Sequence, residues 1–195
     1  MKTNGNILFC GVGGQGILLA SEITAYALLE AGMDVKKSEV HGMAQRGGSV
    51  VAHLRYGEKV YSPLIEPGTV DIEVAFESME AVRYLPFLHS GTQVVANSHK
   101  ILPPAVATGK MEYPADLLSL LSSKVSVLPV DGFAIAKEIG EIRAANVVLV
   151  GAMSAFVPVD AELFIQVMKK RLPAKIVDVN LLAFAKGREA AGKTI

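Results

Sequence analysis

Asn6-Ile7-Leu8-Phe9-Cys10-Gly11-Val12-Gly13-Gly14-Gln15-Gly16-Ile17-Leu18-Leu19-Ala20 is the stretch that decides the fold. Asn6 to Cys10 is a short, largely apolar run of strand length, and a cluster of glycines ends it. Beyond Gly16 the residues Ile17, Ala20, Ile23, Ala27, Leu28 and Ala31 recur at helical spacing, which predicts strand, tight turn and helix in direct succession. Gly32 supplies the helix stop, and Met33 to Val40 is predicted as the second strand of a βαβ unit.

Working outward, the alternation breaks and then returns. His41 to Gly48 reads as a glycine-punctuated loop and Ser49 to Arg55 as extended chain. Tyr56-Gly57-Glu58-Lys59 precedes another extended pair, Val60-Tyr61, so the segment predicts a β-hairpin. Val70 to Phe76, Thr92 to Ala96 and Lys124 to Val130 read as strands. Glu77 to Leu88, Pro114 to Ser122, Phe133 to Ile139, Val147 to Phe156, Asp160 to Arg171 and Leu181 to Ala191 read as helices, with Ser98 to Tyr113 as a loop. Val157-Pro158-Val159 interrupts helical periodicity with no evident reason. The expected architecture is a single α/β domain over 1–195: a Rossmann-like, mostly parallel sheet flanked by helices, with an inserted β-hairpin.

Composition excludes several function classes. Nineteen Lys and Arg balance nineteen Asp and Glu, so no long-range field favours nucleic acid or an anionic membrane. The longest nearly uncharged apolar stretch, Val147 to Val159, falls short of the roughly 20 residues a span needs. With no leader-like opening, the expected location is cytoplasmic. Cys10 is the only cysteine, so the chain alone cannot form an internal disulfide or hold a cluster that needs about four thiolates. His41, His53, His89 and His99 lack metal-ligand spacing, and no Ser-His-Asp pattern stands out, so no metal ligand and no catalytic residue is assigned.

Two segments carry candidate chemistry. Gly11, Gly13 and Gly16 satisfy Gly-x-Gly-x-x-Gly, where missing side chains permit a tight turn and the close approach of an anion to backbone amides. Gly11, Gly13, Gly14, Gln15 and Gly16 are therefore candidate cofactor-binding residues, and the same glycines equally suit a turn that only lets helix and sheet pack. Glu39 lies where a ribose-binding acid is expected, about 20 residues on, but the predicted hairpin interrupts the dinucleotide pattern and argues against that role. The second segment, Gly42 to Ser49, sets Arg46 among glycines that let a ligand or another chain come close. Arg46, Gly47, Gly48 and Ser49 are candidate contacts for a carboxylate, a phosphate or a partner, the alternative being a loop whose Arg46 pairs with a local acid. Asn146, ahead of an apolar helix, fits an N-cap.

Together, Gly11 to Gly16 with Gln15, His41 to Val50, Tyr61-Ser62-Pro63-Leu64-Ile65, Arg83 to Pro86, Glu112-Tyr113-Pro114 and Ala144 to Leu149 resemble one family along nearly the whole chain. It is the gamma-type (pyruvate/ketoisovalerate oxidoreductase gamma) subunit of 2-oxoacid:ferredoxin oxidoreductases, and the wording Gln45-Arg46-Gly47-Gly48 resembles its indolepyruvate-type members. The resemblance implies a holoenzyme that uses thiamine diphosphate, Mg²⁺, [4Fe-4S] clusters and coenzyme A to convert a 2-oxoacid to an acyl-CoA with electrons to ferredoxin. It implies a large partner subunit that binds thiamine and the iron–sulfur clusters, and it makes Asn146 a further candidate contact for substrate, coenzyme A or partner. Pyruvate, 2-oxoglutarate or branched-chain specificity, a free-standing NAD(P)-binding oxidoreductase and a regulatory scaffold remain the alternatives.

Overall fold

The computed structural model describes residues 3–42 and 47–194. The apolar run and glycine turn do form β1 (Gly5–Val12), followed by α1 (Ile17–Glu30). The chain then gives β2 (Asp34–His41), β3 (Ser49–Gly57), β4 (Val70–Ala75), α2 (Ser78–Arg83), a 3₁₀ turn at Leu85–Phe87 and β5 (Leu88–Asn97). The short α3 (Pro104–Ala107) and α4 (Leu117–Ser122) precede β6 (Ser126–Val130). The chain continues with α5 (Gly132–Glu138), α6 (Ala145–Met153), α7 (Ala161–Arg171) and α8 (Ala174–Ala190).

One six-stranded sheet runs in the order β2-β3-β1-β4-β5-β6. β1, β4, β5 and β6 are mutually parallel, while β3 lies antiparallel to both β1 and β2. Two expectations are corrected here. The second strand does not lie beside β1, because β3 folds back into the gap between them. The hairpin is made by β2 and β3, not by Val60-Tyr61, which forms no strand; Tyr61 is 90% exposed. Arg55 holds that segment against β3 through the carbonyl oxygens of Ser62 and Leu64, at 3.1 and 3.3 Å.

Strand alternation sorts the residues onto two faces. Ile7, Phe9, Ala52, Leu54, Ile72, Val74 and Val95 face the larger core, covered by α1 and α6 with α7 and α8 outside them. Because α6 lies between sheet and α8, it is buried and apolar nearly all round, which explains the long uncharged run read from the sequence. A Cβ at Gly151 would fall on the Phe184 carbonyl oxygen, and one at Gly187 on the Val148 carbonyl oxygen, so α6 and α8 meet backbone to backbone. Leu8, Cys10, Val51, Ala75, Val94 and Ala96 face a thinner core under α2 and α4.

Candidate functional site

Parallel sheets bind ligands beyond the carboxyl ends of their strands, where successive connections depart in opposite directions. Here β1 leads leftward to the β2–β3 hairpin and β4 leads rightward to β5, so that point lies between β1 and β4. The glycine turn occupies it. Gly14 and Gly16 have φ of 103° and 78°, conformations that disfavour side chains, and a Cβ at Gly11 would sit 2.7 Å from Gln15 Oε1 and from Phe76 Cβ.

Three amide side chains lock this end of the sheet. Gln15 Oε1 accepts from Val12 N at 2.7 Å, and Gln15 Nε2 donates to the Phe76 carbonyl at 2.7 Å. Asn97 Nδ2 donates to the same carbonyl at 3.2 Å, while its Oδ1 accepts from Gly132 N at 3.2 Å. Asn146 Nδ2 donates to the Gly16 carbonyl at 3.2 Å. Asn146 is the second residue of α6, two positions inside the N-cap residue Ala144, so it is not the cap its sequence position suggested.

A cleft of about 410 Å³ opens beside the turn, lined by Gly14, Gly16, Phe76, His99, Phe133 and Asn146 among others, with Arg143 also lining it. His99 stacks on Phe133 with centroids 4.4 Å apart and planes 10° from parallel. The N-terminus of α1 has no side-chain cap; nor has that of α6, and both border the cleft. In α6 the Ala145 amide is taken by the Ile142 carbonyl and the Val147 amide by Asn146 Oδ1, so the open first-turn amides are those of α1, and the two helix dipoles favour an anion there. Arg143, 84% exposed at its side chain, is held by Glu141 at 2.7 Å.

On the other side of the turn, Gly47 and Gly48 meet the glycines. Gly13 N donates to the Gly48 carbonyl at 2.8 Å and Gly47 N to the Gly13 carbonyl at 3.3 Å, so both sequence-marked glycine segments are stitched together. A mostly apolar cleft of about 540 Å³ lies here against Ile17, Leu18 and Val50. Arg46 lies outside the described residues. Ser49 Oγ donates to Glu80 Oε2 at 2.5 Å, and Glu80 also holds Arg83. Glu39 pairs with Lys37 on the edge strand β2, two strand spacings or about 10 Å across the sheet from β1.

Below the site, sequence reasoning missed a buried acid network. Glu77 caps α2 through Oε2, at 2.8 Å from Met79 N, and accepts from Tyr113 Oη at 2.5 Å through Oε1. Burial, with Glu77 alongside, pushes the Tyr113 hydroxyl well above its ordinary range. Glu73, fully buried between Leu8 and Val94, has its carboxyl pushed up to about 8 by desolvation. Its one described partner is Cys10 Sγ, 3.3 Å from Oε1, and Oε2 has none. Alternating acids in Val70-Asp71-Ile72-Glu73-Val74 normally signal a solvated face, so the sequence pointed the wrong way.

Among the described residues nothing is placed to ligate the Mg²⁺ of thiamine diphosphate or an iron–sulfur cluster. Cys10 is buried, and among the described residues no group of three or more His, Cys, Asp or Glu is placed to hold a metal ion. Among them, too, no helix is long and apolar enough to cross a membrane.

Known proteins are similar to this chain in sequence and in fold. The indolepyruvate oxidoreductase subunit IorB of Archaeoglobus fulgidus is 42% identical over 192 residues, 95% of this chain and 94% of that one. The ketoisovalerate oxidoreductase subunit VorA of Methanothermobacter thermautotrophicus is 30% identical over 97% of this chain but 37% of its own length. Among solved structures, the 2-oxoglutarate:ferredoxin oxidoreductase of Magnetococcus marinus, with 2-oxoglutarate, coenzyme A and succinyl-CoA bound, superimposes at a TM-score of 0.78. That match covers 98% of this chain and 32% of that one at 23% identity, a likeness of fold. With a family model for pyruvate ferredoxin/flavodoxin oxidoreductases matching residues 6–190, this chain belongs to that family.

Proposed function

We propose that this chain is the small subunit of an indolepyruvate-type 2-oxoacid:ferredoxin oxidoreductase. The observation that carries the proposal is the 42% identity, along nearly the full length of both chains, to a subunit named for indolepyruvate, against 30% to one named for ketoisovalerate. In the reaction the bond from the 2-oxo carbon to the carboxylate breaks and CO₂ leaves. The acyl group forms a thioester with coenzyme A, and the electron pair departs singly to ferredoxin. Thiamine diphosphate, Mg²⁺ and the [4Fe-4S] clusters belong to a large partner subunit, since one buried cysteine cannot supply cluster ligands.

This chain's own part in the reading is coenzyme A. Its phosphates suit the amides of Gly14 and Gly16 and the uncapped start of α1, with the positive end of the α6 dipole nearby, and its purine suits the His99–Phe133 platform. Gly47 and Gly48 are bonded to Gly13, so Arg46, their neighbour in sequence, is the cation assigned to a coenzyme A phosphate or the substrate carboxylate. A cytoplasmic location, with Cys10 kept as a thiol, goes with this reading.

Co-expression with the thiamine-bearing partner tests it. The complex should reduce ferredoxin with indolepyruvate and coenzyme A, while the isolated chain should be colourless and inactive. A higher kcat/KM for pyruvate or 2-oxoglutarate than for indolepyruvate would reassign the substrate, and stoichiometric iron in the isolated chain would overturn the division of labour.

A further inference from the structure

We propose that Asn146 is a positioning residue that fixes the glycine turn and the start of α1 for the phosphates of coenzyme A; the inference rests on the coenzyme A reading of the cleft given above. Asn146 is 5% exposed in a helix otherwise built of Ala, Val, Leu, Gly and Met. Its Oδ1 accepts from Val147 N at 2.9 Å and its Nδ2 donates to the Gly16 carbonyl at 3.2 Å. A Cβ at Gly16 would fall on that Nδ2, so glycine at one position and the amide at the other are a matched pair.

The bonded carbonyl also starts a helix. Gly16, the N-cap residue, sits at φ 78° and its oxygen accepts from Ala20 N at 3.1 Å, the first bond of α1. Holding that oxygen therefore sets the direction of the amides that follow, at Ile17, Leu18 and Leu19, which have no intrahelical acceptor. The N-cap position of α6 belongs to Ala144, and within the first turn Asn146 Oδ1 meets the Val147 amide while Nδ2 is left to reach across to Gly16. What the side chain accomplishes is to tie the starts of α1 and α6 together across the cleft they share. Converging amides bind a phosphate well only when their relative placement is held within tenths of an ångström, and a buried hydrogen bond from a rigid helix provides that.

The test uses the assembled complex, with coenzyme A and indolepyruvate varied separately. Asn146→Ala should raise the KM for coenzyme A about tenfold while kcat and the KM for the 2-oxoacid stay within about twofold. Asn146→Asp keeps the shape and the acceptor but sets a carboxylate against the Gly16 carbonyl and near the phosphates, so its KM should rise further. It carries the test should the alanine variant fail to assemble. Arg143→Glu, at an exposed side chain lining the cleft, reports on the cleft reading alone and should also raise the coenzyme A KM. If Arg143→Glu does so while both Asn146 variants assemble normally with an unchanged coenzyme A KM, the positioning role is overturned and the cleft reading stands. If none of the three changes that KM, the cleft reading falls and the inference with it. A lowered melting temperature with both KM values unchanged would make Asn146 structural only and overturn the proposal.

Discussion

The two faces of the sheet are built on different principles. On one, α1 and α6 cover β1, β3, β4 and β5, α7 and α8 cover those helices, and the packing is mostly apolar, with small polar side chains such as Thr24 and Ser154 bonded to carbonyls of their own helices. Phe164 and Phe184 stack at 5.4 Å there, and Arg171 lies over the Tyr26 ring, 3.0 Å from its centroid. On the other, two short helices and the loop after β3 enclose a thinner core that includes Glu73, Cys10 and His53. Loss of volume tolerance limits the first face and the state of a proton limits the second, so stability should respond to size on one and to pH on the other.

Gly187→Ala should give the largest effect. The new methyl group would fall on the Val148 carbonyl oxygen, and a backbone atom cannot rotate away as a side chain can. The helices must separate, which should cost more than about 3 kcal/mol of unfolding free energy in a denaturant titration. A loss under about 1 kcal/mol would show that the α6–α8 contact is soft and would erase the contrast between the faces.

The second face is tested by pH. The Glu73 carboxyl titrates near 8 in the folded chain against an ordinary value of 4.5, because burial disfavours its charged form. A folded value above the unfolded one means that its contribution is fully present below about pH 4.5 and is lost as pH rises through 8. Between pH 6 and 9 this group alone should remove roughly 2–3 kcal/mol of stability. Glu73→Gln should flatten that part of the profile, read as melting temperature against pH. An identical slope in the variant would mean that Glu73 is ionised and paired in the folded chain.

The contrast between faces also explains what the sequence could tell. β1, its turn and α1 were legible because a strand-length run, three spaced glycines and a 3.6-residue period follow one another without competition. The extended character of Met33 to Val40 was legible too, but its place in the sheet was not. Nothing in Val50-Val51-Ala52-His53-Leu54 states that β3 runs antiparallel into the gap beside β1. Val60-Tyr61 looked like the other arm of the hairpin because β-branched and aromatic residues mark strands, whereas this segment is held against β3 by Arg55. At the site, the glycines and Gln15 stood out by spacing, and Asn146 by its place in a motif. Asn97 and the His99–Phe133 stack did not, since their role is to meet residues distant in sequence. Glu73 was not singled out, since an acid alternating with apolar residues ordinarily marks a solvated face.

Neither face should register the loss of Arg46. Arg46→Ala in the assembled complex should lower kcat/KM about tenfold or more, the effect of removing a charge-assisted contact of roughly 1.5–3 kcal/mol. Arg46→Lys should recover only part, because the planar fork is lost. The melting temperature of the isolated subunit should hold in both. A large fall in melting temperature with normal turnover would instead attach the loop to the stability of the β3 side and remove it from function.

The smallest expected effect refines the second face. Cys10 Sγ lies 3.3 Å from Glu73 Oε1, and that hydrogen bond draws the carboxyl downward against the larger upward pull of burial. The thiol itself is pushed well above its usual range, by burial first and then by Glu73, so it stays a neutral donor. Cys10→Ala removes the donor and should move the pH at which stability falls upward, by well under a unit. Cys10→Ser supplies a stronger donor in nearly the same place and should move it downward. Each substitution should change overall stability by only about 1 kcal/mol, the usual net value of one hydrogen bond. The measurement is the midpoint of the melting temperature against pH curve, with Glu73→Gln as background, where both shifts should vanish. Shifts that persist without the carboxyl would show that Cys10 acts through packing between β1 and α2. In that case the second face would be limited by volume like the first, and not by the state of a proton.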